Sequence, residues 1–172
     1  ISNAQQLSPH LSSRKSVKDV IINSGCPFTI FEAGIIVGSG SASFEIIRDL
    51  VEKLPVMIAP RWLESKCQPI AIRNVINYLS NCLLKTETFN RTFEIGGPNI
   101  LTYKQMLLDF AAVRGYSRHI FTFPVPMPYL SANFINWMTS ANYALAKQLV
   151  QSMKSDVICK ENSVLEILPQ EM

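Results

Sequence analysis

Apolar residues recur along the chain at the spacing of one helix face, three or four positions apart, in several separate segments. The clearest segment has five such positions: Phe44, Ile47, Leu50, Val51 and Leu54. This pattern is typical of a helix that packs one side against a core. The spacing predicts helices over 9–23, 44–53, 73–84, 102–114 and 129–153.

Short runs of β-branched and aromatic residues separate these helices and predict strands. The segments 28–31 and 34–37 form one apolar run, which predicts a single buried strand. Further strands are expected over 54–60, 68–72, 93–95 and 119–123. Because strands and helices alternate with no internal repeat, the predicted fold class is α/β.

Residues with known capping preferences mark the helix ends. Ser8 followed by Pro9 predicts the start of the first helix, with its apolar side made by Leu11, Val17, Val20 and Ile21. Thr102 and Gln105 have the spacing of a capping box, in which each side chain satisfies a backbone N–H of the other. In the last helix, Trp137 and Tyr143 are expected in the core or in a subunit contact.

The composition argues against several classes of protein. The 172 residues are 48% hydrophobic and 17% charged, which is typical of a folded domain and not of a disordered or fibrous chain. The net charge of +3 is small and scattered, so we expect no nucleic-acid binding. No apolar run approaches the roughly 18 residues of a membrane span, and we expect a cytoplasmic protein.

The cysteines and histidines lack the spacing of a metal site. Cys26, Cys67, Cys82 and Cys159 form no C-x-x-C pair, and His10 and His119 are isolated. A chain of this length can build its own core, so we expect neither zinc nor a disulfide framework. The prediction is four reduced and mostly buried thiols.

Three segments in order carry a family resemblance: FEAGIIVGSG at 31–40, QPIAIRNV at 68–75, and TFEIGGP at 92–98 with Leu-Thr-Tyr at 101–103. Together they resemble the C-terminal part of an atypical or extended short-chain dehydrogenase/reductase. That NAD(P)-binding superfamily includes nucleotide-sugar epimerases and NmrA-like proteins. The segment IVGSGSASFE at 36–45, with Arg61-Trp62 ahead of Gln68, is similar to the branch of predicted nucleoside-diphosphate-sugar epimerases.

The resemblance implies a fold over residues 1–172: the second half of a Rossmann-like doubly wound parallel sheet, with the small substrate-binding subdomain interleaved. The chain begins at Ile1 without a methionine, and we interpret it as a piece of a longer protein. The family's glycine fingerprint, which holds a pyrophosphate at a helix N-terminus, matches none of the seven glycines. We therefore expect NAD or NADP to bind the intact parent, and to bind this chain weakly or not at all.

The resemblance also implies a catalytic helix. The family's Tyr-x-x-Ser-Lys motif aligns with His10, Ser13 and Arg14, so neither the tyrosine nor the lysine is present. His10 could act as the acid/base with Arg14 as its neighbour, since histidine titrates near neutral pH. Alternatively, both residues contact the cofactor without catalysis, or they are polar residues at the exposed start of a helix.

Two further groups follow from the resemblance. Glu32, Ala33, Gly34 and Ile35 align with the segment beside the nicotinamide, and their alternative is a buried strand with a glycine bulge. Ser39, Ser41, Arg61, Trp62 and Gln68 align with segments that border the substrate, and their alternative is a solvated surface loop. The loop at 38–43 lacks the lysine and the third glycine of a phosphate loop.

Two functions remain open from the sequence. One is an NAD(P)-dependent oxidoreductase or epimerase acting on a small molecule such as a nucleotide-sugar. The other is a non-catalytic NAD(P)-binding redox sensor or assembly protein. With either function, a sheet and helix face cut from a larger fold predict self-association or pairing with the missing half.

Overall fold

The computed structural model describes residues 9–123, 153–161 and 163–169, and the structural statements below refer to these residues. The helices are α1 (Pro9–Ile22), α2 (Ala42–Lys53), α3 (Ile72–Asn81), α4 (Tyr103–Val113) and α5 (Ser163–Ile167). The strands are β1 (Thr29–Ala33), β2 (Ile35–Val37), β3 (Val56–Pro60), β4 (Lys66–Cys67), β5 (Pro69–Ala71), β6 (Arg91–Ile95), β7 (Leu101–Thr102) and β8 (His119–Phe123).

The sequence pattern located most of these elements. The predictions of α1 to α4 are confirmed, with boundaries within about three residues, while α5 was not predicted. The helix expected over 129–153, with Trp137 and Tyr143, lies outside the described residues apart from Met153. None of the described helices is long and apolar enough to cross a membrane.

The strands associate in pairs. β1 pairs with β6, β2 with β5 and β3 with β8, each in parallel, whereas β4 and β7 are antiparallel. Parallel pairs joined through helices confirm the predicted α/β class. Among the described residues the four pairs do not join into one sheet, so the doubly wound sheet implied by the resemblance is not formed by this part of the chain.

The apolar run at 28–37 is two strands and not the single strand predicted. The break falls at Gly34, after which the chain leaves β6 and pairs with β5. A Cβ at Gly34 would lie 2.6 Å from Cγ1 of Val157, so a side chain there would clash with the segment that crosses it. Val157 is fixed by backbone bonds with both neighbours of Cys67: its N–H donates to Lys66 O at 2.9 Å, and its carbonyl accepts from Gln68 N at 3.1 Å.

Two apolar clusters stabilise the fold. The first joins α2, α4, β3 and β8 and includes Ile47, Val51, Met57, Leu107 and Ile120. The second joins α3, α5, β5 and β6 and includes Ile70, Tyr78, Phe93, Ile95 and Val164. Burial of these side chains is the main favourable term in folding.

Helix α1 contributes little to either cluster. Val17, Val20 and Ile21, which the sequence pattern placed on a buried side, are exposed. The prediction of a packed apolar face on α1 is therefore wrong for these three residues in this chain. Instead, the ammonium of Lys18 contacts the carboxylate of Glu32 on β1 at 2.9 Å.

The start of α4 shows half of the predicted capping box. Oγ1 of Thr102 accepts a hydrogen bond from the backbone N–H of Gln105 at 3.0 Å. The side chain of Gln105 does not return to Thr102; it donates to Asp109 one turn further along, at 2.7 Å. The threonine hydroxyl is therefore the side-chain cap of this helix.

Replacing that hydroxyl should destabilise the protein measurably. We expect Thr102→Ala to lower the free energy of unfolding by about 1 kcal/mol, because an N–H at the start of α4 loses its acceptor. Urea unfolding followed by circular dichroism measures this change. Thr102→Ser keeps the hydroxyl and should retain wild-type stability; equal stability of the alanine variant would show that the cap contributes nothing.

Candidate functional site

The candidate site lies at the carboxyl ends of the parallel strands β1 and β6. Glu32 and Glu94 are direct neighbours in the register of the two strands. Like charges placed opposite each other destabilise a sheet unless each is compensated. Here Glu32 pairs with Lys18, and Oε2 of Glu94 accepts from the backbone N–H of Lys160 at 2.6 Å.

The Lys18–Glu32 pair places α1 against this edge. Both side chains are partly buried, 29% and 30% exposed. Arg14 is one helical turn before Lys18, and both it and Ser13 are exposed. His10 lies in the first turn of α1, and its side chain is outside the described part of the chain. The structure thus brings α1 and Glu32 together, and it adds a residue that the sequence analysis missed.

The missed residue is Lys18. It lies four positions after Arg14 and eight after His10, which is the spacing of one helix face. That periodicity was visible in the sequence. The partner of Lys18 was not, because Glu32 is fourteen positions away on a strand.

The remaining residues of the predicted nicotinamide segment serve the fold. Ile35 is buried in the first apolar cluster, so its side chain is part of the core. Ala33 ends β1 in register with Ile95. Gly34 is exposed, and the close approach that it allows is to Val157 of this chain.

The glycine loop before α2 already binds a carboxylate of this chain, that of Glu45. The backbone N–H of Gly40, a residue with a φ of +82°, donates to Oε1 of Glu45 at 3.3 Å. Arg48 pairs with the same carboxylate. Ser39 is exposed, and Ser41 occupies the N-cap position without a side-chain cap bond. Because a carboxylate already occupies this helix start, the loop does not resemble a vacant phosphate cradle.

The predicted substrate residues Arg61 and Trp62 differ in their surroundings. Both lie in the 3-10 turn Arg61–Glu64 that follows β3. Arg61 is exposed, whereas Trp62 packs against the first apolar cluster. The indole N–H of Trp62 is buried and has no hydrogen-bond partner in the described part of the chain. The guanidinium of Arg61 is therefore open to a ligand, whereas the indole of Trp62 belongs to the packing of the protein.

Gln68, predicted to contact the substrate, joins three segments of the chain, and it also lines a cavity. It is 8% exposed. Its Nε2 donates to Gly97 O at 2.7 Å, and its Oε1 accepts from the backbone N–H of Cys159 at 3.0 Å. Both ends of the amide are therefore occupied by the protein itself.

Two glycines allow this contact. A Cβ at Gly96 would lie 2.7 Å from Cδ of Gln68, and one at Gly97 would overlap with the carbonyl oxygen of Pro69. The turn after β6 therefore approaches Gln68 and β5 too closely for any side chain. A cavity of about 210 Å³ lies beside this contact, lined among others by Tyr78, Glu94 and Pro98.

The thiols differ from their predicted burial. All four cysteines are free; Cys67 is buried, Cys82 and Cys159 are half-buried and Cys26 is exposed, so the prediction of mostly buried thiols is confirmed for Cys67 and wrong for Cys26. Burial raises the pKa of Cys67 to about 11. Burial, followed by the Glu94 carboxylate, raises the pKa of Cys159. A raised pKa disfavours the reactive thiolate, so neither cysteine is suited to nucleophilic catalysis.

The site therefore offers guanidinium, ammonium, hydroxyl and carboxylate groups around a strand edge. In the residues described, no group of three or more His, Cys, Asp and Glu side chains could hold a metal ion. These groups can bind hydroxyls and anions, and they can transfer protons.

Known structures share this arrangement of strands and helices. A nucleoside-diphosphate-sugar epimerase from Staphylococcus aureus superposes with a TM-score of 0.71 at 13% identity, over 97% of this chain and 57% of that one. The protein RMD from Pseudomonas aeruginosa, complexed with NADPH, gives 0.56 at 9% identity, over 87% and 56%. UDP-glucuronic acid 4-epimerase from Bacillus cereus, in complex with NAD, gives 0.55 at 14% identity, over 87% and 52%.

The chain shares the fold of nucleotide-sugar epimerases. It spans little more than half the length of each of these proteins. This shared fold agrees with the predicted α/β class. No protein-family profile matches the chain, and no curated protein is significantly similar to it in sequence.

The role of Gln68 can be tested by stability. We expect Gln68→Leu to lower the free energy of unfolding by about 2–3 kcal/mol, because Gly97 O and the N–H of Cys159 lose their partner. Gln105→Leu is the matched control, since Gln105 is exposed, and it should change stability by less than about 0.5 kcal/mol. Urea unfolding compares the two variants. Equal stabilities would mean that the buried amide does not tie these segments together.

Proposed function

We propose that this chain is part of an NAD(P)-dependent oxidoreductase or nucleoside-diphosphate-sugar epimerase-like protein. In this proposal, residues 1–172 supply the second half of a Rossmann-like domain with interleaved substrate-binding segments. The observation that carries the proposal is the Lys18–Glu32 ion pair, which holds α1 against the carboxyl end of a parallel strand pair. Open α/β folds bind ligands at that end of their strands.

In this proposal the reacting groups lie on one face of α1, the face that the Lys18–Glu32 ion pair turns toward the strand edge. His10 would transfer the proton, since an imidazole exchanges protons near neutral pH. Arg14 would donate hydrogen bonds to hydroxyls. Ser13 is exposed on the same helix and would add a hydroxyl. Lys18 would orient the helix through Glu32.

The proposed cofactor is NAD or NADP. The donors of Ser13 and Arg14 and the acceptor of Glu32 suit the ribose and amide of a nicotinamide nucleotide, which supplies hydride transfer when bound. A pyrophosphate has no equivalent cradle in the described residues, because the N–H of Gly40 already donates to Glu45. The NADPH and NAD complexes of two structural neighbours support a nicotinamide cofactor for the longer protein.

The proposed substrate is a small molecule, with a nucleotide-sugar as the leading class. Arg61 is exposed and planar, so it suits a diphosphate through two parallel hydrogen bonds. Ser39 and Ser41 would border the same substrate. The epimerase neighbours from Staphylococcus aureus and Bacillus cereus support this class. We place the protein in the cytoplasm.

A second function is favoured by one specific departure. The family's tyrosine and lysine are replaced by His10 and Arg14, and Lys18, one helical turn after Arg14, pairs with Glu32. A helix without that pair can contact a cofactor without turning it over. The alternative is therefore a non-catalytic NAD(P)-binding redox sensor or assembly protein, as NmrA-like proteins are.

The cofactor proposal predicts weak binding by this chain alone. We expect the 172-residue chain to bind NAD(H) and NADP(H) with dissociation constants well above micromolar, because the glycine fingerprint for the pyrophosphate is absent from its sequence. Isothermal titration calorimetry measures this affinity. Micromolar binding would contradict this prediction. If Arg14→Ala left that binding unchanged, the proposed site would be contradicted as well.

The two functions differ in the effect of His10. In the longer protein we expect His10→Phe to lower turnover by about 10²- to 10⁴-fold, with cofactor affinity within a few-fold, because the ring is kept and the proton-transferring nitrogens are removed. His119→Phe is the matched control, since His119 lies exposed on β8. A steady-state assay with nucleotide-sugars compares the two variants. Undiminished turnover of the His10 variant would exclude it as the acid/base, and a wild type that binds cofactor without turnover would favour the second function.

A further inference from the structure

Helix α3 carries a second apolar face that is exposed in the part of the chain that the structure describes. Its inner face, with Val75 and Tyr78, packs into the second apolar cluster. The other face and the turn that follows present five aliphatic side chains to solvent, each between 41% and 93% exposed: Ile72, Ile76, Leu79, Leu83 and Leu84. We call this set the α3 stripe.

The spacing of the stripe is that of a helix-pairing seam. Within α3, Ile72, Ile76 and Leu79 are separated by four and three positions, and Leu83 continues the spacing in the turn after the helix. Apolar residues alternating by four and three form the seam at which two helices pack side by side. A helix of a monomer that packs on one side would be expected to carry polar residues at these positions.

The area of the stripe is sufficient for the centre of an interface between proteins. The exposed fractions add up to about three fully exposed aliphatic side chains. At roughly 30 Å² for each of four carbons, this is on the order of 400 Å² of apolar surface. A standard interface buries about 800 Å² per partner, a little over half of it non-polar. One stripe on each of two molecules matches that requirement.

The charges around the stripe select the partner. Three polar residues of α3 near the stripe, Asn77, Ser80 and Asn81, are uncharged and cause no like-charge repulsion between two copies, and Arg73 is the charged residue of this helix. Arg73 is exposed at the start of α3, where a cation is unfavourable beside the positive end of the helix dipole. In an antiparallel pair of α3 helices, each Arg73 would lie beside the negative end of the other helix.

The negative end of α3 is able to receive that cation. The last turn of α3 contains no basic residue. Lys85, which follows it, donates to Ile167 O at 2.5 Å and is thereby directed toward α5. A parallel pair would instead bring the two Arg73 side chains together. We infer that the α3 stripe is the surface through which two copies of this chain associate, with their α3 helices antiparallel.

Light scattering coupled to size exclusion tests the inference on the full 172-residue chain. We expect a dimer of twice 19.3 kDa for the wild type. Leu79→Glu, at the centre of the stripe, should raise the dissociation constant by more than about 30-fold and give a monomer. Val20→Glu on α1 and Ile58→Glu on β3 introduce the same charge at other exposed apolar positions and should leave the dimer intact.

A second variant separates association from folding. Arg73→Glu places an acid at the start of α3, where a negative charge favours the helix. The unfolding midpoint, measured at protein concentrations below the dissociation constant of the dimer, should therefore not fall. The same change should weaken the dimer by about tenfold, because the other helix then meets an anion at its negative end.

Three results would overturn the inference. The first is a wild-type chain that stays monomeric up to its solubility limit. The second is dimerisation of Leu79→Glu as tight as that of the wild type. The third is loss of the dimer through Val20→Glu or Ile58→Glu while Leu79→Glu retains it, which would move the interface to α1 or to β3. An Arg73→Glu dimer of unchanged affinity would exclude the antiparallel arrangement.

Discussion

The fold depends on one close crossing of backbone segments, held by the buried side chain of Gln68. Its amide joins the turn after β6 to the segment at 157–159, through Gly97 and Cys159. The crossing has no room for side chains at Gly34, Gly96 or Gly97. A buried amide with both ends bonded is stable, whereas one with an unpaired end costs the full desolvation of that group. The strand ends that form the candidate site are positioned by this contact.

The same crossing sets the electrostatics of the edge. With β1 and β6 fixed in register, Glu32 and Glu94 are neighbours, and each requires a positive partner. Lys18 supplies one from α1, so α1 is held by charge while Val17, Val20 and Ile21 stay exposed. A partly exposed ion pair contributes about 0–1 kcal/mol. Further contacts to the exposed side of α1 would therefore fix the helix, and any group bound beside Arg14, more firmly than this chain does alone.

Local signals in the sequence predicted the helices and most strands, because apolar periodicity, caps and stop residues act within a few positions. These local signals could not predict which strands pair. The break at Gly34, for example, is required by the close approach of Val157, more than a hundred positions away. Separation in sequence also hid the internal contacts of Gln68, whose hydrogen-bond partners are 29 and 91 positions away and which the resemblance assigned to the substrate. For Ile35 the sequence could not decide between core and site, because an apolar residue suits a core and the wall of a ligand site equally well.

Fold and chemistry are separable at this edge. Structural similarity at 13% identity establishes the path of the backbone, and function has to be argued from the side chains of the site. Gln68, Ile35 and Gly34 each have a structural role that accounts for the residue without a ligand. Ser13, Arg14 and Arg61 are exposed and contribute nothing visible to packing. Their polar groups are open to solvent and can reach a ligand, so we propose to test these side chains for the chemistry of the protein before the buried ones.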